Sequence, residues 1–324
     1  MGMGPRTGSR GLSSYRRNSH PQHREAQSPV TILLFPFLSP DGSLQCPAIR
    51  MAKIPLEDNF VDVINKAQRG FKLSDEDLAR RADVSTEDLA RLKAGEVIED
   101  LIRKVARSLN LGKTALFEMA RQSWYPESRT VDGLALFNTR FDDMTVNAYL
   151  VWDPQTLEAV AVDTGANAFS LMAAVRSQNL QVKYLLLTHT HGDHVADVDR
   201  IVSDTKAEVW VSEKEPFAGA QTFAQGRVFN VGGLKISTRS TTGHSVGGTT
   251  YVVEGLASPL ALVGDAVFAS SMGSGKVSYL DALGTNRRHV MLLPDSCILC
   301  PGHGPMSTVG EEKKHNPFFP EFQK

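Results

Sequence analysis

The sequence predicts an α/β fold in which packed sheets carry helices on their outer faces, preceded by a small all-α region. Apolar residues recur at helical spacing from residue 51 to about 122. From about Ser128 the pattern changes to short strand-like runs separated by turns and occasional helices, which is typical of layered sheets. The composition, 41% hydrophobic and 22% charged, is that of a globular protein, and 324 residues can hold two domains.

Charge and cysteine content exclude several classes of protein. The net charge of −1 gives the whole chain no electrostatic attraction to nucleic acid or membrane, and no apolar run reaches the length of a membrane helix. Three cysteines are too few for a disulfide framework and favour a reducing, cytoplasmic location. Cys297 and Cys300 lie in a strand-like run, so we expect two buried thiols rather than a redox pair.

Residues 1–50 differ from the rest of the chain. They are rich in Ser, Pro, Gly and Arg, with six arginines against two acidic residues, and we expect a disordered tail. Two alternatives stay open. Translation could begin at Met51, or the short apolar run 30–38, which Pro36 interrupts, could belong to a targeting segment.

Residues 51–125 predict consecutive short helices. Ser74 and Ser85 are each followed three residues later by Asp, which is an N-cap signature, and Gly95 ends the second of these helices. Two helices joined by a tight turn form a helix-turn-helix arrangement. Residues 73–85 resemble the Cro/C1-type repressor helix-turn-helix family.

The charges of this helical region argue against binding to DNA. Residues 51–125 contain 13 Lys/Arg and 13 Asp/Glu, and the helix that would read bases opens with Ser85-Thr86-Glu87-Asp88. Carboxylates at that position would face the phosphate polyanion, whose neutralisation supplies much of the affinity in such complexes. We therefore expect an interaction or dimerisation module, compatible with a homo-oligomer, and keep DNA binding as an alternative.

The region from 126 to 324 is predicted as one sheet-containing domain. One helix is predicted at 169–178, among the strand-like runs. The predicted strands are 144–152, 157–162, 183–187, 208–211, 234–237, 250–253, 260–263 and 296–299.

The hexapeptide His189-Thr190-His191-Gly192-Asp193-His194 places four metal-ligand side chains directly after the apolar run 182–187. A strand that runs into a ligand-rich loop presents a metal site at the edge of a sheet. Imidazoles and carboxylates are costly to bury unless they are paired, so packing alone does not explain this density of ligands.

Three further apolar runs end in a glycine followed by a ligand-type residue, namely His244, Asp265 and His303. Glycine permits the backbone angles and the close approach that such corners need. The seven residues fit two divalent ions, most simply zinc, with iron or manganese as alternatives. We expect one ion on His189, His191 and His244, a second on Asp193, His194 and His303, and Asp265 as the bridge.

This set of residues resembles the metallo-β-lactamase fold superfamily over roughly residues 130–310. The resemblance implies an αββα sandwich with the metal site at one edge of the two sheets. It also implies that Asp163, in Val162-Asp163-Thr164-Gly165, orients a ligand or the metal loop.

Asp265 and the sequence Cys-Pro-Gly-His-Gly-Pro at 300–305 look like the glyoxalase II branch of that superfamily. Those enzymes hydrolyse the thioester S-lactoylglutathione. The resemblance implies that Lys276 and Tyr279 contact the substrate, although the spacing around them departs from the pattern of the branch.

The sequence therefore predicts a dinuclear metallohydrolase. A hydroxide shared by two cations would attack the carbonyl carbon of a small thioester or ester, with Asp193 and Asp265 as the catalytic carboxylates. Two alternatives belong to other classes. One is an oxidoreductase with a single iron, like the persulfide dioxygenases of the superfamily, and the other is a DNA-binding regulator with a metal-dependent sensor domain.

Overall fold

The computed structural model describes residues 31–32 and 53–323. The expectations for the tail of residues 1–50 and for a start at Met51 lie outside the described residues, apart from one two-residue strand. Within the described ranges, no helix combines the length and the apolar character needed to cross a bilayer.

Five helices lie within residues 53–125. Ser74 and Ser85 accept hydrogen bonds from the backbone amides of Asp77 and Asp88, so both predicted N-caps are confirmed. Gly95, with φ +98°, follows the C-cap residue Ala94 of the third helix, where the sequence predicted its end. The helices are α1 (Phe60–Gly70), α2 (Asp75–Ala82), α3 (Thr86–Lys93), α4 (Glu99–Ser108) and α5 (Lys113–Ala120).

The first sheet has seven strands arranged in sequence order. Its first four strands are antiparallel neighbours, and the pairs from the fourth to the seventh are parallel. The strands are β1 (Thr31–Ile32), β2 (Leu134–Phe141), β3 (Met144–Trp152), β4 (Glu158–Val162), β5 (Gln181–Leu186), β6 (Glu208–Ser212) and β7 (Gln221–Phe223). Three helices connect its strands: α6 (Phe169–Ser177), α7 (Gly192–Val195) and α8 (Val198–Thr205).

The second sheet has six strands in the order β13-β12-β11-β10-β9-β8, and only the β11–β12 pair is parallel. Its strands are β8 (Val228–Val231), β9 (Leu234–Ser240), β10 (Thr249–Glu254), β11 (Leu260–Gly264), β12 (Ile298–Pro301) and β13 (Ser307–Thr308). Three helices complete this half: α9 (Tyr279–His289), α10 (Val309–His315) and a 3-10 helix (Pro320–Phe322).

The sheets stack face to face, and alternation along the strands assigns each side chain to a layer. In β10, Tyr251 and Val253 point into the core between the sheets, whereas Val252 points outward. Helices α6 and α8 cover the outer face of the first sheet through residues such as Leu171 and Ile201. The predicted α/β class and the αββα sandwich are thereby confirmed.

The helical region shares a buried cluster with the outer face of the second sheet. Leu78, Leu89 and Ile102 belong to the same buried cluster as Val252 and Val263 of that sheet. The predicted boundary at 125/126 therefore separates two segments of sequence but not two hydrophobic cores.

Most predicted strands are present, and one, 144–152, coincides with β3 at both ends. The prediction missed β2, although Asp142-Asp143 between β2 and β3, with Asp142 at φ +51°, is a typical hairpin turn. It also missed α9, because polar residues dominate that helix and its apolar face is weak.

A buried carboxyl in α10 makes stability depend on pH. Glu312 Oε2 accepts hydrogen bonds from Ser270 N (3.0 Å) and Asn316 Nδ2 (2.8 Å), whereas its Oε1 has no partner. Burial raises the pKa of Glu312 from 4.5 to about 8. The Glu312 carboxyl ionises at a lower pH in the unfolded chain than in the folded protein. The contribution of Glu312 to stability is therefore complete below about pH 4.5 and is lost as the pH rises towards 8.

We expect Glu312→Gln to be less destabilised than the wild type by a rise from pH 5 to pH 8. The free energy of unfolding of the wild type should fall more steeply with pH than that of the variant, by at most about 1.4 kcal/mol per pH unit. Urea unfolding at several pH values measures both slopes. Glu87→Gln, on the exposed surface of α3, is the matched control for loss of one charge. If the free energies of unfolding of wild type and Glu312→Gln change in parallel from pH 5 to pH 8, Glu312 is already ionised in the folded protein over that range.

Candidate metal centre

The structure brings together all seven side chains that the sequence singled out as metal ligands. They follow the ends of β5, β9, β11 and β12 at one edge of the sandwich. The ligand atoms form two groups, each within 4.8 Å: His189, His191, His244 and Asp265 in the first, and Asp193, His194 and His303 in the second.

Asp265 lies between the two groups and turns one oxygen towards each. Its Oδ2 is 3.2 Å from His244 Nε2 and 4.0 Å from His189 Nε2. Its Oδ1 is 3.3 Å from His194 Nε2 and 3.5 Å from His303 Nε2. This is the placement that a carboxylate needs to bridge two ions.

Hydrogen bonds at the outer ring nitrogens hold four of the imidazoles. A donated proton on each outer Nδ1 leaves the lone pair of Nε2 facing the centre, which is the tautomer that a metal requires. The outer partners of Nδ1 are Thr188 Oγ1 for His189 (3.1 Å), Asp163 Oδ2 for His194 (2.8 Å), Ser274 O for His244 (3.0 Å) and Thr145 O for His303 (2.7 Å).

His191 differs because its Nδ1 faces inward, 2.9 Å from His189 Nε2 and 3.0 Å from His244 Nε2. Three ring nitrogens thus converge on one position. Nitrogens of neutral imidazoles at such separations suit a shared cation better than hydrogen bonds among themselves, since each neutral ring has one proton only.

The residues fit a bound cation. His194 Nε2 and Asp265 Oδ1 are fully buried and have no hydrogen-bond partner. Unsatisfied buried polar atoms are rare in folded proteins and indicate an ion, a water or a catalytic role. The donor set of five imidazoles and two carboxylates is suited to zinc, iron or manganese.

The electrostatics of the centre link the histidines to the carboxylates. Burial lowers the pKa of His189 well below its ordinary value, and the neighbouring His194 lowers it further. Burial alone would raise the pKa of Asp193, but its contacts with the imidazoles of His303 and His194 lower it to about 2. Asp193 is therefore a carboxylate at neutral pH, which is the form that binds metal.

Glycines shape the corners from which the ligands project, as predicted. Gly243, which precedes His244, has φ +124°, a backbone angle that favours glycine. Gly302, which precedes His303, is required by close approach instead. A Cβ there would lie 2.3 Å from Asp265 Oδ1 and 2.6 Å from His194 Cε1.

Asp163 lies behind the metal loop, where the sequence placed it. Its Oδ1 accepts a hydrogen bond from Thr188 N (2.8 Å), and its Oδ2 accepts from Thr188 Oγ1 (2.7 Å) and His194 Nδ1. One carboxylate thus orients His194 directly and His189 through Thr188.

Glu215 performs a similar task and was missed by the sequence analysis. Its Oε1 accepts from the backbone and hydroxyl of Thr190 (3.1 Å each), and its Oε2 accepts from Gly247 N (2.8 Å). This buried carboxylate ties the loop of His189 and His191 to the loop of His244. No local sequence signal distinguishes it from an ordinary surface glutamate after β6.

The two residues predicted to contact substrate have different surroundings. Lys276 is exposed at the edge of the centre. The pKa of His191 is lowered first by the burial of its own ring and second by the positive charge of Lys276. The substrate contact expected of Tyr279 stays a prediction, and its surroundings do not favour it. Tyr279 begins α9 and is buried, with its ring against Phe71 (centroids 5.2 Å apart) and against Gly70, so it belongs to the shared core.

Within residues 53–323, the remaining cysteines and histidines lie outside the centre. Cys297 and Cys300 are buried free thiols, as predicted, and burial raises the pKa of Cys297 to about 12. His315 stacks on Trp124 and contacts Glu118, away from both ligand groups.

Comparisons with known proteins agree with this geometry. Residues 141–303 match the family model described as the metallo-beta-lactamase superfamily. A probable metallo-hydrolase of Streptococcus pyogenes is 27% identical over 202 residues, covering 53% of this chain and 85% of that protein. A hydroxyacylglutathione hydrolase of Haemophilus influenzae is 27% identical over 197 residues, covering 53% and 92%. The solved structure of BLEG-1, a B3 metallo-beta-lactamase, superposes with a TM-score of 0.50 at 25% identity, covering 57% and 99%.

Proposed function

The chain belongs to the metallo-beta-lactamase superfamily, and from this premise we propose that it is a two-ion hydrolase of small thioesters or esters. The observation that carries the proposal is the position of Asp265. Its two oxygens face different ligand groups, 3.2 Å from His244 Nε2 and 3.3 Å from His194 Nε2. This placement favours a two-ion site, in which one carboxylate can serve both positions.

Divalent cations in the two positions would supply Lewis-acid activation of a water and of the substrate's carbonyl oxygen. Zinc suits the imidazole-rich ligand set, with iron or manganese as alternatives. The first position would be formed by His189, His191 and His244, and the second by Asp193, His194 and His303. Asp265 would contribute one oxygen to each.

The protein's own groups would then position the reactants. Asp193 Oδ2 lies 3.3 Å from His303 Nε2, and the side chain keeps 14% of its surface exposed. Asp193 can therefore serve the second position and accept a hydrogen bond from an attacking water. The exposed ammonium of Lys276 would bind a negative charge on the substrate.

A thioester is the preferred substrate class for a chemical reason as well as a comparative one. A thiolate leaves without a strong general acid. The hydroxyacylglutathione hydrolase that is 27% identical to this chain is named for hydrolysis of the same class. Because Tyr279 is buried in the core, glutathione itself is not specified by the site, and the proposal names the thioester class only.

The helical region does not extend the proposal to nucleic acid. Five of its basic side chains form ion pairs with acidic side chains of the same region. The ion pairs are Arg80–Asp77, Arg91–Asp88, Arg91–Glu96, Lys93–Asp75, Arg103–Glu99 and Lys104–Asp100. Phosphate binding would have to compete with these carboxylates.

The proposal is tested by metal analysis together with a substrate screen. We expect about two ions per chain after reconstitution with zinc. A thioester such as S-lactoylglutathione or S-acetyl-N-acetylcysteamine should be hydrolysed faster than an ester, a β-lactam or a phosphodiester at the same concentration. A β-lactam or phosphodiester as the preferred substrate would refute the thioester assignment. One iron per chain with oxygen consumption on a persulfide would replace hydrolysis by the dioxygenase alternative.

A further inference from the structure

The segment that precedes α1 reaches the metal centre. Glu57, in this segment, places its Oε2 4.0 Å from His303 Nδ1, and its side chain keeps 23% of its surface exposed. The segment also lies against the next residue of the ligand loop, since a Cβ on Gly304 would be 3.3 Å from Glu57 N. A residue of the helical region therefore lies beside a residue of the centre.

Glu57 lies on the outer side of the His303 ring. His303 Nδ1 donates to Thr145 O (2.7 Å), and Nε2 faces Asp193 Oδ2 (3.3 Å) and Asp265 Oδ1 (3.5 Å). The Glu57 carboxylate is thus placed next to a nitrogen that is already hydrogen-bonded. Its contribution to His303 is a negative charge rather than a hydrogen bond.

The surroundings of Glu57 are held in place by a nearly buried ion pair. Asp58 pairs with Lys66 of α1, and their side chains are 9% and 12% exposed. Lys66 Nζ also donates to Met272 O (2.9 Å), and Ser271 Oγ donates to Asp58 Oδ2 (2.6 Å). These contacts join the segment to the loop that follows Asp265.

A second anchor acts on the other side of Glu57. The Tyr125 hydroxyl donates to Ile54 O (2.5 Å), and the Lys53 ammonium lies 3.2 Å from the centroid of the Tyr125 ring. The backbone around Glu57 is therefore fixed at both ends, so the carboxylate is held where it is.

We propose that Glu57 is a positioning residue for the second metal position, through which the helical region stabilises the ion held by Asp193, His194 and His303. The inference rests on the proposed function in assuming two ions. A carboxylate behind a metal-binding imidazole makes the ring a better donor, and it also attracts the cation directly. Glu57 is partly exposed and makes no hydrogen bond to His303. We therefore expect its loss to weaken metal affinity by about tenfold, the low end of the usual range for such partners.

The test is a cobalt titration of the metal-free full-length protein, followed by absorbance at pH 8. We expect two binding steps in the wild type. In Glu57→Gln the second step should weaken by about tenfold and its cobalt spectrum should shift, while the first step stays unchanged.

Matched variants separate positioning from a general loss of structure or charge. Glu57→Asp should recover part of the second step, and Glu87→Gln, exposed on α3, should titrate like the wild type. Thermal unfolding of the metal-free variants shows whether the fold is intact. If Glu57→Gln weakens both steps together with a fall in Tm, the role is structural and the inference fails.

The inference also fails if Glu57→Gln binds both ions with wild-type affinities and spectra. That result leaves the proposed two-ion hydrolase standing. A wild type that takes up one ion only would overturn the two-ion proposal, and this inference with it, before any variant is compared.

Discussion

Replacing Asp265 by alanine is expected to lower hydrolysis by about a thousandfold or more and to reduce the metal content from two ions per chain to one. Asp265 Oδ1 and Oδ2 face different ligand groups, so its loss removes a ligand from both positions at once. The second group would keep only Asp193, His194 and His303 and should lose its ion first, because the first group keeps three imidazoles. Elemental analysis and thioester kinetics on the same sample measure both effects.

Two controls make this result specific. Asp265→Asn keeps the shape of the side chain but loses its charge, and we expect an intermediate metal content with activity still strongly reduced. Asp199→Ala removes an exposed carboxylate on α8 and should behave like the wild type. Hydrolysis that survives in Asp265→Ala with one ion bound would contradict the two-ion scheme.

Stripping the metal with a chelator is expected to abolish hydrolysis and to lower Tm by at least about 10 °C. Each ion that binds only the folded chain at a thousandfold excess over its Kd contributes about 4 kcal/mol. In a chain of this size, each kcal/mol changes Tm by roughly 2–4 °C. The unpartnered His194 Nε2 and Asp265 Oδ1 are left buried without a ligand when the ions leave. Differential scanning calorimetry before and after dialysis against chelator measures the shift.

Adding zinc back should restore both Tm and activity, which separates metal loss from damage by the chelator. Asp265→Ala should show a smaller fall in Tm on chelation, because it begins with one ion fewer. Equal melting temperatures with and without metal would mean that the seven side chains do not hold an ion in the folded protein.

The candidate centre could be predicted from the sequence because its ligands are concentrated at strand ends. Four of them stand in six residues, and His244, Asp265 and His303 each follow an apolar run and a glycine. Strand ends of a layered fold meet at one edge, so local patterns were enough to infer that distant residues converge. The strand at 144–152 was found at both ends because residues with high β-propensity fill most of it.

The residues that support the ligands could not be predicted in this way. Glu215 and Glu57 are acidic residues in irregular segments, and their contacts are with loops far away in the sequence. Tyr279 was misplaced because α9 has little apolar periodicity, so the residue was interpreted as part of a loop. Tertiary packing, rather than local pattern, decides all three positions.

The shared core has a consequence for how this chain can change during evolution. Leu78, Ile102, Val252 and Val263 lie in one buried cluster, although the first two belong to the helical region and the last two to the second sheet. Loss or exchange of the helices would leave apolar residues of this cluster open to water and prone to association. The helices thus share a core with the second sheet, and sequence drift in either half is constrained by the other.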